Sequence, residues 1–527
     1  MAYRATRGLA LLLATVASTA LSTPGFAAAA QDARDAKIQQ LEQAIKELSA
    51  EVEALKQSED AAKTAEVAAK QAQDAAKEAA ENTQAVADRV AALKTSTADQ
   101  YADVQNQRNA DVRVTIANAR PTFTSADGRF MAQLRALMQY DMAYYSQDKK
   151  TPLASDLSSG TNFRRARLGL EGKAFGDWSY GFIYDFGGSN GSEQQGRISD
   201  SYVQYDGIAP FHFKTGAFAT PAGSEDQTGT GDLLFLERAA PADLARGIAG
   251  ADGRENFLSV FANGNDYYAA LTLTGAKAAD SVFFDEQQAV VGRFAYRVLQ
   301  DLEPTSNTNV VLSANATYVY KVADIAASPT GTSPITLAIV PENYVDATKL
   351  ISTAAVNAEN YFQWGLEAAG NFDNFYAQAG YFDYKIGRRD SALPNPDFNG
   401  WYAQASWIIT GETRRYNVAT ASWASPAPTA PADLNATGLG AWEFAARYSE
   451  VDLDYNAGTA GAAAPSGGIR GGDQKAWTLG LNWYPNVNVR FELDYQKATI
   501  NRLAATPPFA QIGQDIDILS SRAQVAF

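Results

Sequence analysis

From about residue 129 to the C-terminus, apolar and polar positions alternate with a period of two. Trp477, Leu479, Leu481 and Trp483 are interleaved with Thr478, Gly480 and Asn482. Phe491, Leu493 and Tyr495 are interleaved with Arg490, Glu492, Asp494 and Gln496, and Trp442, Phe444, Ala446 and Tyr448 with Glu443, Ala445, Arg447 and Ser449. Residues two apart share one face of a strand, so each segment predicts a strand with one aromatic, apolar face and one polar, often charged face. Sixteen such segments follow one another: 129–146, 162–173, 177–188, 198–207, 211–220, 255–263, 266–276, 289–300, 309–320, 358–372, 374–387, 398–410, 441–454, 474–484, 489–502 and 515–527. The number is even and the lengths suit tilted strands that cross a bilayer.

Short links such as Phe175-Gly176, Gly264-Asn265 and Asp373 alternate with long ones such as 147–161, 221–254, 321–357 and 455–473. Short turns are thus expected on one rim and long loops on the other. The Pro/Ala-rich stretch 411–440 breaks the rule: either it is an insertion on the short-turn rim or the strand count fails there. In a soluble barrel the apolar face points inward and fills the interior; an interior of Arg, Glu, Asp and Gln must instead be wet. The expected fold class is therefore all-β: a 16-stranded antiparallel transmembrane β-barrel with a water-filled lumen, over residues 129–527.

The N-terminal part has a different pattern. Arg4 and Arg7 precede an apolar run from Gly8 to Leu21, then Pro24, Gly25 and Ala27 to Ala30, which is the order of a secretory signal peptide over 1–30. Residues 31–99 are rich in Ala, Glu, Gln and Lys, and Ile38, Leu41, Ile45, Leu48, Val52 and Leu55 fall at heptad spacing. The seam slips by three residues near Ala62 and Ala65, then resumes through Val86, Val90 and Leu93. A helix over 32–94 is about 95 Å long at 1.5 Å per residue and cannot bury its seam alone, so a periplasmic coiled-coil rod that oligomerises is expected. Residues 100–128 form a junction.

Composition excludes several functions. Cysteine is absent and His212 is the only histidine, so thiolate sites, histidine-based metal centres and serine triads have no support. Neither an enzyme activity nor a cofactor is expected. His212 lies between Phe211 and Phe213 and reads as a strand residue. The net charge of −15 argues against a nucleic-acid partner.

The run Phe163-Arg164-Arg165-Ala166-Arg167-Leu168-Gly169-Leu170-Glu171-Gly172, followed by Gly176 to Tyr180 and Tyr184-Asp185-Phe186, resembles the signature of the phosphate- and polyphosphate-selective porins O and P. Asp200 to Tyr205, Leu236-Glu237-Arg238, Thr410-Gly411-Glu412, Gly440 to Glu443, Arg447-Tyr448 and Leu479 to Tyr484 fall in the same order. The resemblance covers about residues 112–527, and the 411–440 excursion also looks like the family's. The last strand, ending Ala523-Gln524-Val525-Ala526-Phe527, is similar to the closing strand of outer-membrane barrels, with Leu519, Ala523, Val525 and Phe527 toward lipid and Arg522 and Gln524 toward water.

That resemblance implies a homotrimer of barrels in outer-membrane lipid and lipopolysaccharide, each pore narrowed by an inward loop, here 221–254. It implies passive diffusion of phosphate or polyphosphate past Arg164 and Arg165, whose guanidinium forks suit oxyanions. Alternation turns Arg165 and Arg167 into the lumen and leaves Arg164 at the end of its strand. Asp200, Arg447 and Arg522 complete the expected pore lining. Two departures lower the positive potential: the loop from Gly223 to Leu234 holds Glu225, Asp226 and Asp232 but no Lys or Arg, and Leu137 stands where the family places an inward arginine. A structural role is the competing expectation, with the rod tying the outer membrane to the cell wall and the pore non-specific.

Overall fold

The computed structural model falls into two compact units, 1–109 and 110–527. It describes helical residues 84–97 and scattered positions between 42 and 77 in the first, and 112–149, 156–187, 196–249, 253–278, 285–300, 307–325, 328–432 and 438–527 in the second. The signal segment and most of the heptad seam lie outside the described residues. Over 84–97 the chain is α-helical, and the seam residues Val86, Val90 and Leu93 are exposed.

Eighteen strands of the second unit share one sheet. Two of them form a hairpin, Arg113–Ala117 with Arg120–Thr124, whose second strand pairs with the first barrel strand. That hairpin lies within the stretch expected to be only a junction. The other sixteen are β1 Met131–Lys149, β2 Gly160–Ala174, β3 Trp178–Asp185, β4 Arg197–Ile208, β5 Phe211–Ala217, β6 Arg254–Asn263, β7 Tyr267–Lys277 and β8 Gln288–Gln300, then β9 Thr308–Lys321, β10 Ala358–Phe372, β11 Phe375–Arg388, β12 Asp397–Ile408, β13 Ala441–Tyr455, β14 Ile469–Tyr484, β15 Val489–Asn501 and β16 Gln514–Ala526. Each of the sixteen expected segments is present. Neighbours pair antiparallel, and β16 closes on β1 from Gln514 opposite Lys149 to Ala526 opposite Leu137. Phe527 and Ala136 then exchange backbone hydrogen bonds at 2.9 and 3.0 Å, so no edge is left at the seam.

The faces are inverted relative to a soluble barrel. Met138, Phe163, Leu168, Leu170, Phe182, Leu479 and Leu493 are exposed on the outside, while Gln139, Arg165, Glu367, Gln404, Glu443 and Arg522 are buried inside. Two aromatic bands edge the outer surface. Trp442 stacks on Trp483, and Trp483 on Phe491, both at 5.5 Å, near the short-turn rim; Trp401 and Trp477 both contact Tyr448 toward the long-loop rim. From Trp477 to Trp483, six residues at about 3.3 Å each separate the bands by about 20 Å along the strand, close to the height of an outer-membrane apolar band.

The lumen is not the open bore that strand number alone suggests. Three segments enter it. The 218–253 loop contains the helix α1, Ala240–Ala249, whose Ala242, Leu244 and Ala245 pack with the lumen-facing residues Tyr384 and Tyr402. The 322–357 loop contributes buried Leu337, Ile339, Val345 and Ile351 to the same cluster. The 409–440 segment, left ambiguous by the alternation rule, folds in from the short-turn rim: Arg293 donates to the Thr420 and Ala421 carbonyls at 2.7 Å, and Trp423 packs on Tyr376.

Candidate functional site

On β2 a register shift places Arg165 opposite Gln139 and Phe163 opposite Tyr140, which leaves Arg164 as an extra residue in a β-bulge. A bulge re-aims the side chains on either side of it. Here both Arg164 and Arg165 turn inward and are buried, whereas strict alternation had turned only Arg165 toward the lumen. Asp185, at the end of β3, holds the bulge: one carboxylate oxygen accepts from the Ala166 amide at 3.1 Å and the Gly187 amide at 3.0 Å, and the other accepts from Arg167 at 2.9 Å.

The inward loop meets this pair with Glu237. Its Oε1 accepts from Arg164 Nε at 2.7 Å and from Arg522 Nη2 at 3.1 Å. Its Oε2 accepts from Arg164 Nη2 at 3.1 Å and from Arg165 Nη2 at 3.3 Å. Three guanidiniums from two strands therefore converge on one carboxylate. Burial alone would raise a carboxyl group, but Arg164, then Arg165 and Arg522, outweigh it and hold Glu237 well below the usual carboxylate range.

Further groups complete the cluster. Arg522 is gripped by Asp141 through two bonds of 2.6 and 2.7 Å and donates to the Leu236 carbonyl at 2.6 Å. Arg165 also donates to Gln139 at 2.7 Å. Arg447 donates to the Glu237 carbonyl at 2.9 Å and to Glu342 at 2.5 Å, with its guanidinium over the Phe235 ring. From the 322–357 loop, the Tyr344 ring lies 4.3 Å from the Arg164 guanidinium, and the Tyr344 hydroxyl donates to Asp243 at 2.5 Å. Two loops thus meet over Arg164.

Of the expected lining residues, the structure brings together Arg164, Arg165, Arg447 and Arg522. Arg167 and Asp200 lie elsewhere: both line a cavity of about 830 Å³ toward the short-turn rim, with Arg135, Glu171, Lys214 and Phe527. The acidic loop residues do not face that cluster as free charge. Asp226 pairs with Arg246 at 2.5 Å, Asp232 accepts from the Ser425 amide at 2.8 Å, and Glu225 accepts from the Ala239 amide at 3.2 Å. Leu137, the missing inward arginine, lines the cavity below. His212 pairs with Asp206 at 2.7 Å and stacks on Phe261, as a strand residue would. Among the described residues no group of three His, Asp or Glu side chains is arranged to hold a metal ion.

Sequence reading missed Asp141, Gln139, Glu342 and Tyr344, and it quoted Glu237 only as part of a motif. One signal was available. The run Ile335-Thr336-Leu337-Ala338-Ile339-Val340 is unusually apolar for a surface loop, and a loop with such a run must bury it.

The family model described as phosphate-selective porin O and P matches residues 131–527. Among known proteins, Porin O of Pseudomonas aeruginosa is 26% identical over 422 residues, which cover 77% of this chain and 91% of that one. An uncharacterized protein of Caulobacter vibrioides is also 26% identical, over 402 residues covering 72% and 71%. Among solved structures, the anion-selective porin from Comamonas acidovorans aligns with 76% of this chain and 100% of its own, at 13% identity and a TM-score of 0.45. OmpT of Vibrio cholerae aligns with 76% and 99%, at 8% identity and a TM-score of 0.44.

Proposed function

This chain belongs to the phosphate-selective porin O and P family, and from that membership we propose that it is a passive outer-membrane pore for small anions, with phosphate and polyphosphate as its solutes. The observation that carries the reading is the convergence of Arg164, Arg165 and Arg522 on a single carboxylate. A cluster that holds one oxyanion with three guanidinium forks has the donors to hold another, and each fork matches phosphate geometry. Arg447 extends the cluster along the loop, and Arg167 and Asp200 line the cavity through which a solute reaches or leaves it.

The pore is a homotrimer in this proposal, seated in outer-membrane lipid and lipopolysaccharide. Its apolar outer surface and aromatic bands support the membrane setting, and the exposed Val86, Val90 and Leu93 support self-association of a periplasmic coiled coil at 31–99. The decisive experiment reconstitutes the purified protein in a planar bilayer. Chloride current should be half-blocked by phosphate at a concentration that rises in the Arg164→Ala, Arg165→Ala double variant. Unchanged block, or a cation-biased reversal potential in the unaltered protein, would reject the anion reading and leave only a general pore.

A further inference from the structure

We propose that Glu237 is a tethered occupant of the anion site, which a permeating oxyanion must displace, so that this side chain sets the solute affinity of the pore. The inference rests on the anion-pore reading and adds what occupies the site between permeation events.

Three observations carry it. First, the carboxylate sits where an anion would: it is buried, it belongs to the inward loop rather than to the wall, and its bonds run to arginines of β2 and β16. Second, the match is incomplete. Charge-assisted bonds between guanidinium and carboxylate are usually about 2.7–2.9 Å, yet three of the four here measure 3.1, 3.1 and 3.3 Å. The Nε of Arg165, itself buried, has no partner among the described residues. Two carboxylate oxygens are too few for the donors present, and a tetrahedral oxyanion offers four. Third, charge favours exchange. The three arginines pair directly with Asp141 and Glu237, and Glu492 lies opposite Arg522 on the next strand; withdrawing Glu237 removes one negative charge from beside them, which favours an incoming phosphate.

Glu237 is a good temporary occupant because of its attachment. The Glu237 carbonyl is held by Arg447 and the Leu236 carbonyl by Arg522, so the backbone stays docked while the side chain can rotate aside. An intramolecular competitor is present at high effective concentration, which weakens the apparent affinity for a free ligand without altering the arginines. A pore benefits from that weakening, since a solute bound too tightly does not leave.

The test uses phosphate block of chloride current at constant ionic strength. Glu237→Gln keeps the shape and removes the charge, and the half-blocking phosphate concentration should fall on the order of tenfold. Glu237→Asp keeps the charge but is one methylene short, and should fall between the two. Heat-modifiable migration on gels identifies folded protein; if the Gln variant does not fold, the Asp variant decides by the same criterion. An unchanged or higher half-blocking concentration in folded protein overturns the proposal, because Glu237 would then merely position the arginines. If the Arg164→Ala, Arg165→Ala variant shifts the block while Glu237 variants do not, only this inference fails; if neither shifts it, the anion reading fails with it.

Discussion

Gly187 lies so close to Arg165 that a Cβ at position 187 would come within 2.8 Å of the Arg165 Cα. The Phe163 carbonyl oxygen would be 2.9 Å away. Both neighbours are backbone, so neither can swing aside. The bulge that turns Arg164 and Arg165 inward thus depends on a residue with no side chain at the end of the next strand.

Gly187→Ala should accordingly shift the bulge and draw Arg164 away from Glu237. Overpacking of this kind costs about 1–3 kcal/mol, too little to unfold a closed barrel. The expected result is a folded, heat-modifiable protein whose chloride current needs more phosphate for half-block. An unaltered block curve would show that the bulge tolerates a methyl group.

Arg414 anchors the 409–440 segment inside the lumen. It donates to both oxygens of Glu443 through buried bonds of 2.8 and 3.1 Å and to the Asp232 carbonyl at 2.9 Å. Arg414→Ala leaves Glu443 with only neutral partners, Ser406, Asn482 and Tyr484. Losing one partner of a buried pair costs about 3–5 kcal/mol. Limited proteolysis should then cut within 411–440, and the single-channel conductance should rise as the segment leaves the lumen; resistance equal to the unaltered protein would show that other contacts hold the segment.

Tyr344 covers the Arg164 guanidinium. A ring in this position contributes about 0.5–2 kcal/mol. Tyr344→Phe keeps the ring and loses the hydrogen bond to Asp243, whereas Tyr344→Ala loses both. Single-channel recording should show a larger conductance in the Ala variant than in the Phe variant, and equal conductance in all three proteins would show that the ring does not narrow the pore.

Loop docking should depend on pH with a defined sign. Glu237 has a folded pKa below its unfolded value, so its contribution is present above the ordinary carboxylate range, near 4.3, and is lost as pH falls through and below it. Taken as the difference from Glu237→Gln, which cancels the titration of the other carboxylates bonded to this stretch, Asp494 at the Leu236 amide and Glu225 at the Ala239 amide, hydrogen exchange over 233–239 should stay constant from pH 8 to about 5 after correction for intrinsic rates. It should accelerate on further acidification. A transition centred near neutrality would assign the docking to another group.

The amino-acid sequence determined the barrel itself. Alternation with a period of two is local, and it marked all sixteen strands, their lipid and lumen faces, and the inward positions of Arg165, Arg447 and Arg522, because a side chain's face depends only on its neighbours along the strand. It also set Arg164 and Arg165 in a run that resembles the signature of phosphate-selective porins. Tertiary structure decided how those residues act. Arg164 faces the lumen only because β2 carries one more residue than β1 across the bulge, a property of two strands in register. Arg522 meets Glu237 across 285 positions and Arg447 meets Glu342 across 105. Such pairings follow from barrel closure and from loops entering the lumen, neither of which leaves a periodic mark on the chain. The acidic loop that lowered the expected potential holds Asp226 and Glu225 in bonds within itself and Asp232 in a bond to the 409–440 segment, while Glu237, unremarkable in sequence, takes the place of the anion.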